Sequence, residues 1–190
     1  MLFTLQRYLT FAIVDLERVI LSAKQKALRI NLNQDIYGTF AEVGAGQEVV
    51  RQFFRAGGAS GTIAKAISAY DKDFSDAIYG KEEKGRYVCK ERLEKMLEKE
   101  YNLLEERLDE KEHQNKRFFA FADTVSTVNF DKTIKGHGWI GLRFQLTHDQ
   151  KPSDFIIHVH LNDQDAFPFD PKEWSDIDKD GIGDNADPER

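Results

Sequence analysis

Apolar residues recur at helical spacing in two long segments of the chain. Over residues 4–28 they fall three and four positions apart, which predicts an amphipathic helix that packs against the body of the protein. Charged residues interrupt this segment, so it does not predict a membrane span, and a secretory signal is the alternative to the amphipathic helix. Residues 87–111 predict the second long helix, and Cys89 lies on its apolar face, which favours a core role over a nucleophilic one.

The remaining pattern predicts strands. Residues 39–43 predict a short strand that leads through a glycine turn into a helix, and residues 63–69 predict a second short helix. From residue 117 the apolar period changes to two, so segments 117–125, 139–146 and 155–161 predict three strands of an antiparallel meander. The fold class is therefore α/β (α+β), a single domain with N-terminal helices and a late three-stranded meander.

Composition and charge divide the chain into two parts. The chain has 190 residues and a formal charge of -6, and its single cysteine excludes an internal disulfide. Residues 163–190 contain ten acidic and three basic residues, so residues 1–162 are almost neutral. We therefore predict an α/β body over 1–162 and an acidic tail over 163–190. A near-neutral body does not predict a nucleic-acid partner.

The tail carries regularly spaced carboxylates. In the twelve residues that start at Asp176, acids stand at positions 1, 3, 5, 9 and 12, with Gly181 at position 6. Ca²⁺ prefers six to eight oxygen ligands on a compact loop, and a glycine permits its sharp turn. The predicted ligands are Asp176, Asp178, Asp180, the backbone carbonyl of Ile182, Asp184 and Asp187. The alternative is a solvated acidic tail without a bound ion.

This tail resembles a thrombospondin type 3 repeat of bacterial surface proteins, and residues 165–174 look like the linker between two such repeats. The resemblance implies that the five aspartates bind calcium. It also implies a location at the cell surface or outside the cell.

The body resembles a bacterial family that carries the label nicotinate- or nicotinamide-nucleotide adenylyltransferase. The resemblance covers about residues 28–161 and rests on segments 37–48, 57–65, 68–80, 121–124 and 137–145. It implies a nucleotide ligand and a bacterial cytoplasmic location. The string nearest to the H-x-G-H motif of such enzymes is residues 136–139, with Trp139 in place of the second histidine.

Two glycine-rich loops are candidates for holding that nucleotide, because glycine lets the backbone approach a phosphate and a helix N-terminus favours negative charge. The candidate cofactor-binding residues are Gly44, Gly46, Glu48, Gly58, Gly61 and Lys65. The alternative interpretation is a tight turn that packs closely on its neighbours, with Lys65 solvated.

Other titratable residues give weaker patterns. His158 and His160 share one strand face, and with His137 or His148 they are candidates for a metal site, against the alternative of exposed strand histidines. A second group of candidates, for acid–base chemistry, comprises Glu42, Glu48, Asp71 and Asp76.

Three hypotheses for function follow from these patterns. The first is calcium binding by the tail on a body of unknown activity. The second is a nucleotide-binding enzyme that uses the loops 44–48 and 57–65. The third is a truncated or fused protein without catalytic activity.

Overall fold

A computed structural model describes residues 20–108, 115–129, 133 and 135–161. In chain order, the helices and strands are α1 Ala23–Asn31, β1 Ile36–Gly44, α2 Val49–Ala56, β2 Ile63–Ala69, α3 Lys72–Tyr79, α4 Lys90–Leu108, β3 Arg117–Ser126, β4 His137–Phe144 and β5 Ser153–His160. A 3-10 turn, Ala59–Gly61, precedes β2. No helix in the described ranges is long and apolar enough to cross a membrane.

The strands form one five-stranded mixed sheet in the order β2-β1-β3-β4-β5. Strand β1 lies in its interior and runs parallel to both β2 and β3. Strands β3, β4 and β5 pair antiparallel in succession, which confirms the predicted meander and the α/β class. The parallel half of the sheet adds two strands to that meander.

Strand β2 corrects the helix predicted over residues 63–69. Its residues pair with β1 from Gly38↔Ile63 to Val43↔Ala69. Ile63 and Ile67 are four residues apart, a spacing that fits one turn of a helix and also two periods of a strand. The parallel partner β1 decides between them, because it supplies the hydrogen bonds of a ladder.

Helix α4 forms the core with one face of the sheet. Its buried residues Leu93, Met96, Leu97, Tyr101 and Leu104 confirm the apolar face predicted for residues 87–111. Across from them the strands carry very small side chains, namely Ala41 on β1, Ala120 and Ala122 on β3, and Gly141 on β4. A Cβ on Gly141 would lie 2.7 Å from Leu97 Cδ1, so the helix lies against the sheet at close range.

Helices α1 and α2 cover part of the opposite face. Phe53 of α2 packs on Phe40 of β1 with ring centroids 4.8 Å apart. Asn31 joins the two helices, because its side-chain amide donates to the carbonyl oxygens of Phe53 at 2.8 Å and Gly57 at 2.7 Å. A capping box at Ser22 begins α1 at Ala23, and residues 20–22 are not helical, so the single helix predicted over 4–28 is corrected in that part. Residues 1–19 lie outside the described residues.

A buried arginine ties α4 to the chain before it. The Arg92 side chain is 0% exposed, and its guanidinium lies 2.5 Å from Asp76 Oδ1 and 3.3 Å from Glu82 Oε1. The same group lies over the ring of Tyr87, at 5.4 Å from the centroid. Both carboxylates are nearly buried, and Glu82 also pairs with Lys95 at 3.0 Å. Removal of the guanidinium would therefore leave Asp76 without its cation and Glu82 with one of its two.

We expect Arg92→Met to lower the free energy of unfolding by about 3–5 kcal/mol, the usual cost of breaking a buried ion pair from one side. Urea unfolding followed by circular dichroism measures the change. Lys90→Met is the control, because the Lys90–Glu94 pair is half-exposed and should contribute less than about 1 kcal/mol. A loss of unfolding free energy in Arg92→Met no larger than the small loss expected in Lys90→Met would show that the Arg92 pairs add nothing to stability.

Candidate functional site

A crevice of about 460 Å³ opens at the carboxyl ends of β1 and β3. From β1 the chain continues through α2 to β2 on one side, and from β3 it continues to β4 on the other side. In an open α/β sheet, connections that diverge from adjacent parallel strands leave a gap above their carboxyl ends, and ligands bind in such gaps. The crevice is therefore the candidate site.

Six of the residues that line this crevice carry a hydroxyl group. They are Tyr70, Ser75, Tyr87, Thr124, Ser126 and Thr127. Ser75 is 1% exposed, and its Oγ has no hydrogen-bond partner among the described residues. Thr124 donates to the carbonyl of Tyr87 at 2.9 Å, which joins β3 to the segment before α4.

Two charged residues from the start of α3 complete the lining. Asp71 caps the helix, because its carboxylate accepts a hydrogen bond from the Phe74 N–H at 2.9 Å. Lys72 is exposed and places its ammonium 5.2 Å from the ring centroid of Tyr87. A ligand in the crevice would therefore meet hydroxyls, two tyrosine rings, one cation and the Asp71 carboxylate.

The first predicted glycine loop lies at the edge of this crevice. Gly44 has φ +78°, and a Cβ there would collide with the carbonyl oxygen of Val125. A Cβ on Gly46 would lie 2.5 Å from Asp123 Oδ1 and 2.7 Å from Val125 Cγ2. These glycines let the turn lie directly on β3, as expected for a tight turn that packs closely on its neighbours. Glu48 is half-buried and forms an ion pair with Arg51 at 3.4 Å.

The second predicted loop lies at the opposite end of the parallel strands. Gly58 and Gly61 precede β2, whose first residue pairs with the beginning of β1. The seven residues of β2 span about 20 Å at roughly 3.3 Å per residue. Lys65 forms an ion pair with the buried Glu100. The structure therefore does not bring the two loops together around one ligand, because they lie at opposite ends of the parallel strands.

Two buried carboxyl groups lie beneath the first loop. Glu42 on β1 and Asp123 on β3 are direct neighbours across the parallel ladder and are 1% and 2% exposed. Glu42 Oε1 accepts hydrogen bonds from the N–H groups of Val49 at 2.8 Å and Val50 at 3.3 Å, at the start of α2. Asp123 Oδ1 has no hydrogen-bond partner in the described ranges.

Burial decides the protonation of this pair. It raises the pKa of Asp123 to about 8, and the negative charge of Glu42 adds to the increase. Burial also raises the pKa of Glu42, while the two N–H groups at the start of α2 oppose that increase. In the sequence Asp123 stands out as the one acid in an apolar strand. That Glu42 is its neighbour follows only from the parallel pairing of β1 with β3.

The structure separates the four acids considered for acid–base chemistry. Glu42 holds the start of α2, and Glu48 pairs with Arg51. Asp71 caps α3, and Asp76 pairs with Arg92. Each acid thus has a structural partner, and only Asp71 lines the crevice.

The strand histidines do come together on the exposed end of β4 and β5. His137 Nδ1 lies 3.2 Å from His158 Nε2, and the rings of His158 and His160 are 4.4 Å apart. The ring of His158 stacks on Trp139 at 4.4 Å, whereas His148 pairs with Asp149. Within the described ranges, no group of three or more His, Cys, Asp or Glu residues is arranged to hold a metal ion.

Cys89 is half-buried at the beginning of α4. Its thiol donates to the carbonyl of Arg86 at 3.4 Å and accepts a hydrogen bond from the N–H of Arg92 at 3.4 Å. Burial raises the pKa of this thiol, so the thiolate needed by a nucleophile is disfavoured.

No protein-family model matches this chain, and no curated protein matches it. Among solved structures, the chain is similar to a competence-damaged protein (CinA) superfamily protein from Enterobacter cloacae. The TM-score is 0.51 at 9% identity, and the match covers 85% of this chain and 86% of that one. At this identity the likeness is one of fold: the chain has the α/β fold seen in that superfamily.

Two further matches carry related descriptions. The competence/damage inducible protein CihA from Agrobacterium tumefaciens gives a TM-score of 0.48 at 15% identity, covering 73% of this chain and 79% of that one. A CinA superfamily protein from Escherichia coli gives 0.47 at 10% identity, covering 74% and 75%.

The match to the Enterobacter cloacae structure corrects the resemblances drawn from the sequence. The Enterobacter cloacae structure that shares the fold is a competence-damaged protein (CinA) superfamily protein and not an adenylyltransferase, so the nucleotidyltransferase function is not supported. Calcium binding as the function of the chain is corrected on the same ground, and the described residues supply no metal-binding group. The tail assigned to a thrombospondin type 3 repeat, including its six predicted ligands from Asp176 to Asp187, lies outside the described residues.

We expect Gly46→Ala to destabilise the protein by about 1–3 kcal/mol, because its Cβ would overlap the side chains of Asp123 and Val125. Thermal or urea unfolding measures the loss. The matched control is Gly61→Ala, since a Cβ there meets nothing within 4 Å. If both variants lose the same stability, the close approach of the loop to β3 does not explain Gly46.

We expect Asp123→Asn to change the pH dependence of stability. Because the folded pKa of about 8 lies above the ordinary value of 3.8, the folded wild type keeps a proton that the unfolded chain releases. The stabilisation of the folded state by this proton is complete below pH ~4. It is lost as pH rises through 8, by up to about 1.4 kcal/mol per pH unit.

Urea unfolding at pH 5, 7 and 9 tests this expectation. Stability of the asparagine variant relative to wild type should increase from pH 5 to pH 9. Asp73→Asn, at an exposed acid of α3, is the control and should follow the wild-type profile. A profile of Asp123→Asn parallel to that of wild type would contradict the buried, protonated state.

Proposed function

We propose that this chain is a small-molecule-binding domain whose ligand occupies the crevice above β1 and β3. The position of the crevice carries the proposal, because it lies where the connections from two adjacent parallel strands diverge. Its volume of about 460 Å³ is in the range of small-ligand sites. The fold shared with the Enterobacter cloacae structure does not by itself assign a ligand.

The lining indicates the chemistry of the ligand. Tyr70 and Tyr87 offer aromatic surface for a planar group. Lys72 offers a cation for an acidic group, and the buried Ser75 hydroxyl offers an unused hydrogen bond. We therefore propose a small organic anion that contains a planar ring.

The proposal concerns binding and assigns no reaction. The polar groups of the described lining are mainly hydroxyls, and neither a histidine nor a cysteine is among them. Asp71 already accepts the hydrogen bond that caps α3. These groups suit recognition of a ligand, whereas nucleophilic catalysis needs a hydroxyl or thiol paired with a base.

We expect small aromatic carboxylates or phosphates to shift the amide resonances of Ala45 and Thr127 in ¹H–¹⁵N NMR spectra of the full chain. Lys72→Glu should weaken binding at least about tenfold, which corresponds to about 1.4 kcal/mol. Thr127→Trp should block binding, because this exposed position borders the crevice and a bulky side chain would fill it.

Lys151→Glu makes the same charge change at an exposed residue outside the crevice and is the control. It should bind the same compounds as wild type does. Shifts confined to another part of the sheet, or equal losses in Lys72→Glu and Lys151→Glu, would overturn the proposal. The absence of binding by any compound of the two classes would overturn it as well.

A further inference from the structure

Strand β5 is the last strand of the described sheet, and among the described residues the hydrogen-bonding groups of its outer edge have no partner. The N–H of Leu161 donates to the carbonyl of Gly136 at 2.9 Å, and these two residues lie directly opposite each other. In an antiparallel ladder hydrogen-bonded pairs alternate with pairs that share no hydrogen bond, so the adjacent pair His137↔His160 shares none. Residues 154, 156, 158 and 160 therefore direct their backbone groups away from β4.

The side chains of β5 leave this edge unprotected. Phe155 is 58% exposed and Ile157 is 37% exposed, and both point to the same face of the sheet. Natural edge strands are usually blocked by lysine, proline, a bulge or a covering helix. Strand β5 contains no lysine or proline, and its ladder with β4 is regular from Ser153 to His160. Strand β2, at the other edge, carries Lys65.

Little charge opposes an approach of two such edges. Asp154 is the only Asp, Glu, Lys or Arg in β5, and both its oxygens accept hydrogen bonds from Arg143 at 2.7 Å. Helix α4 packs mainly on β1, β3 and β4, so none of the described helices packs across the outer edge of β5.

We infer that β5 is a homodimer interface, in which a second copy of this chain adds its own β5 antiparallel across a two-fold axis. The pairing is self-complementary. If the two-fold axis passes beside Ile156, Asp154 lies opposite the partner's His158. If the axis passes beside Ile157, Asp154 lies opposite the partner's His160. In both registers the apolar residues of one face meet, and carboxylates do not face each other.

The inference is independent of the crevice, and the oligomeric state of the full chain tests it. Sedimentation velocity and light scattering over a concentration series should give twice the 21.9 kDa mass of one chain. Ile157→Lys should weaken dimerisation at least tenfold, because it places two ammonium groups near the two-fold axis. Leu146→Lys is the control, since this residue is 63% exposed but lies outside β5.

A second variant tests the backbone contribution. His158→Pro removes an N–H that faces away from β4, so it should favour the monomer while circular dichroism shows an intact fold. A monomeric wild type at every concentration would overturn the inference, as would a dimer whose stability is equal in Ile157→Lys and Leu146→Lys. A monomer would fit pairing of β5 with another part of the same chain.

Discussion

The close approach of α4 to the middle of the sheet is the constraint on which most of this structure depends. Ala41, Ala120, Ala122 and Gly141 lie where the helix crosses β1, β3 and β4, and their lack of bulk lets Leu93 and Leu97 fill the interface. Protein interiors are packed as densely as organic crystals, so larger strand side chains would lift the helix. The same contact orients Arg92, whose pairs with Asp76 and Glu82 fix α3 and the segment between the two helices.

That arrangement also creates the crevice. Helix α3 begins at the carboxyl ends of the parallel strands, and the segment that leads into α4 passes there as well. Tyr70, Ser75 and Tyr87 therefore surround the gap between β1 and β3. Beneath it, the opposite face of the same strands holds Glu42 and Asp123, which are covered by the glycine turn and the start of α2. One end of the sheet thus combines an open polar gap with a buried carboxyl pair, and burial keeps Asp123 protonated up to about pH 8.

Glycine positions show why local motifs misled the functional interpretation. Gly44 and Gly46 have the sequence context of a ligand-binding turn, but each is required by a neighbour on β3. Gly58 and Gly61 follow a similar local pattern and lie at the opposite end of the parallel strands. A short glycine motif indicates that the backbone needs space or a special conformation. It does not indicate whether a ligand or another part of the protein occupies that space.

The sequence by itself determined the long helix α4, the three-stranded meander and the α/β class, because these depend on apolar periodicity within a single segment. It did not determine that residues 63–69 form a strand, since the spacing of Ile63 and Ile67 fits both periods and only pairing with β1 decides. The crevice and the pairing of Glu42 with Asp123 likewise required the tertiary structure. Each brings together residues some 80 positions apart in the chain, and such proximity follows from strand order, which local periodicity does not encode.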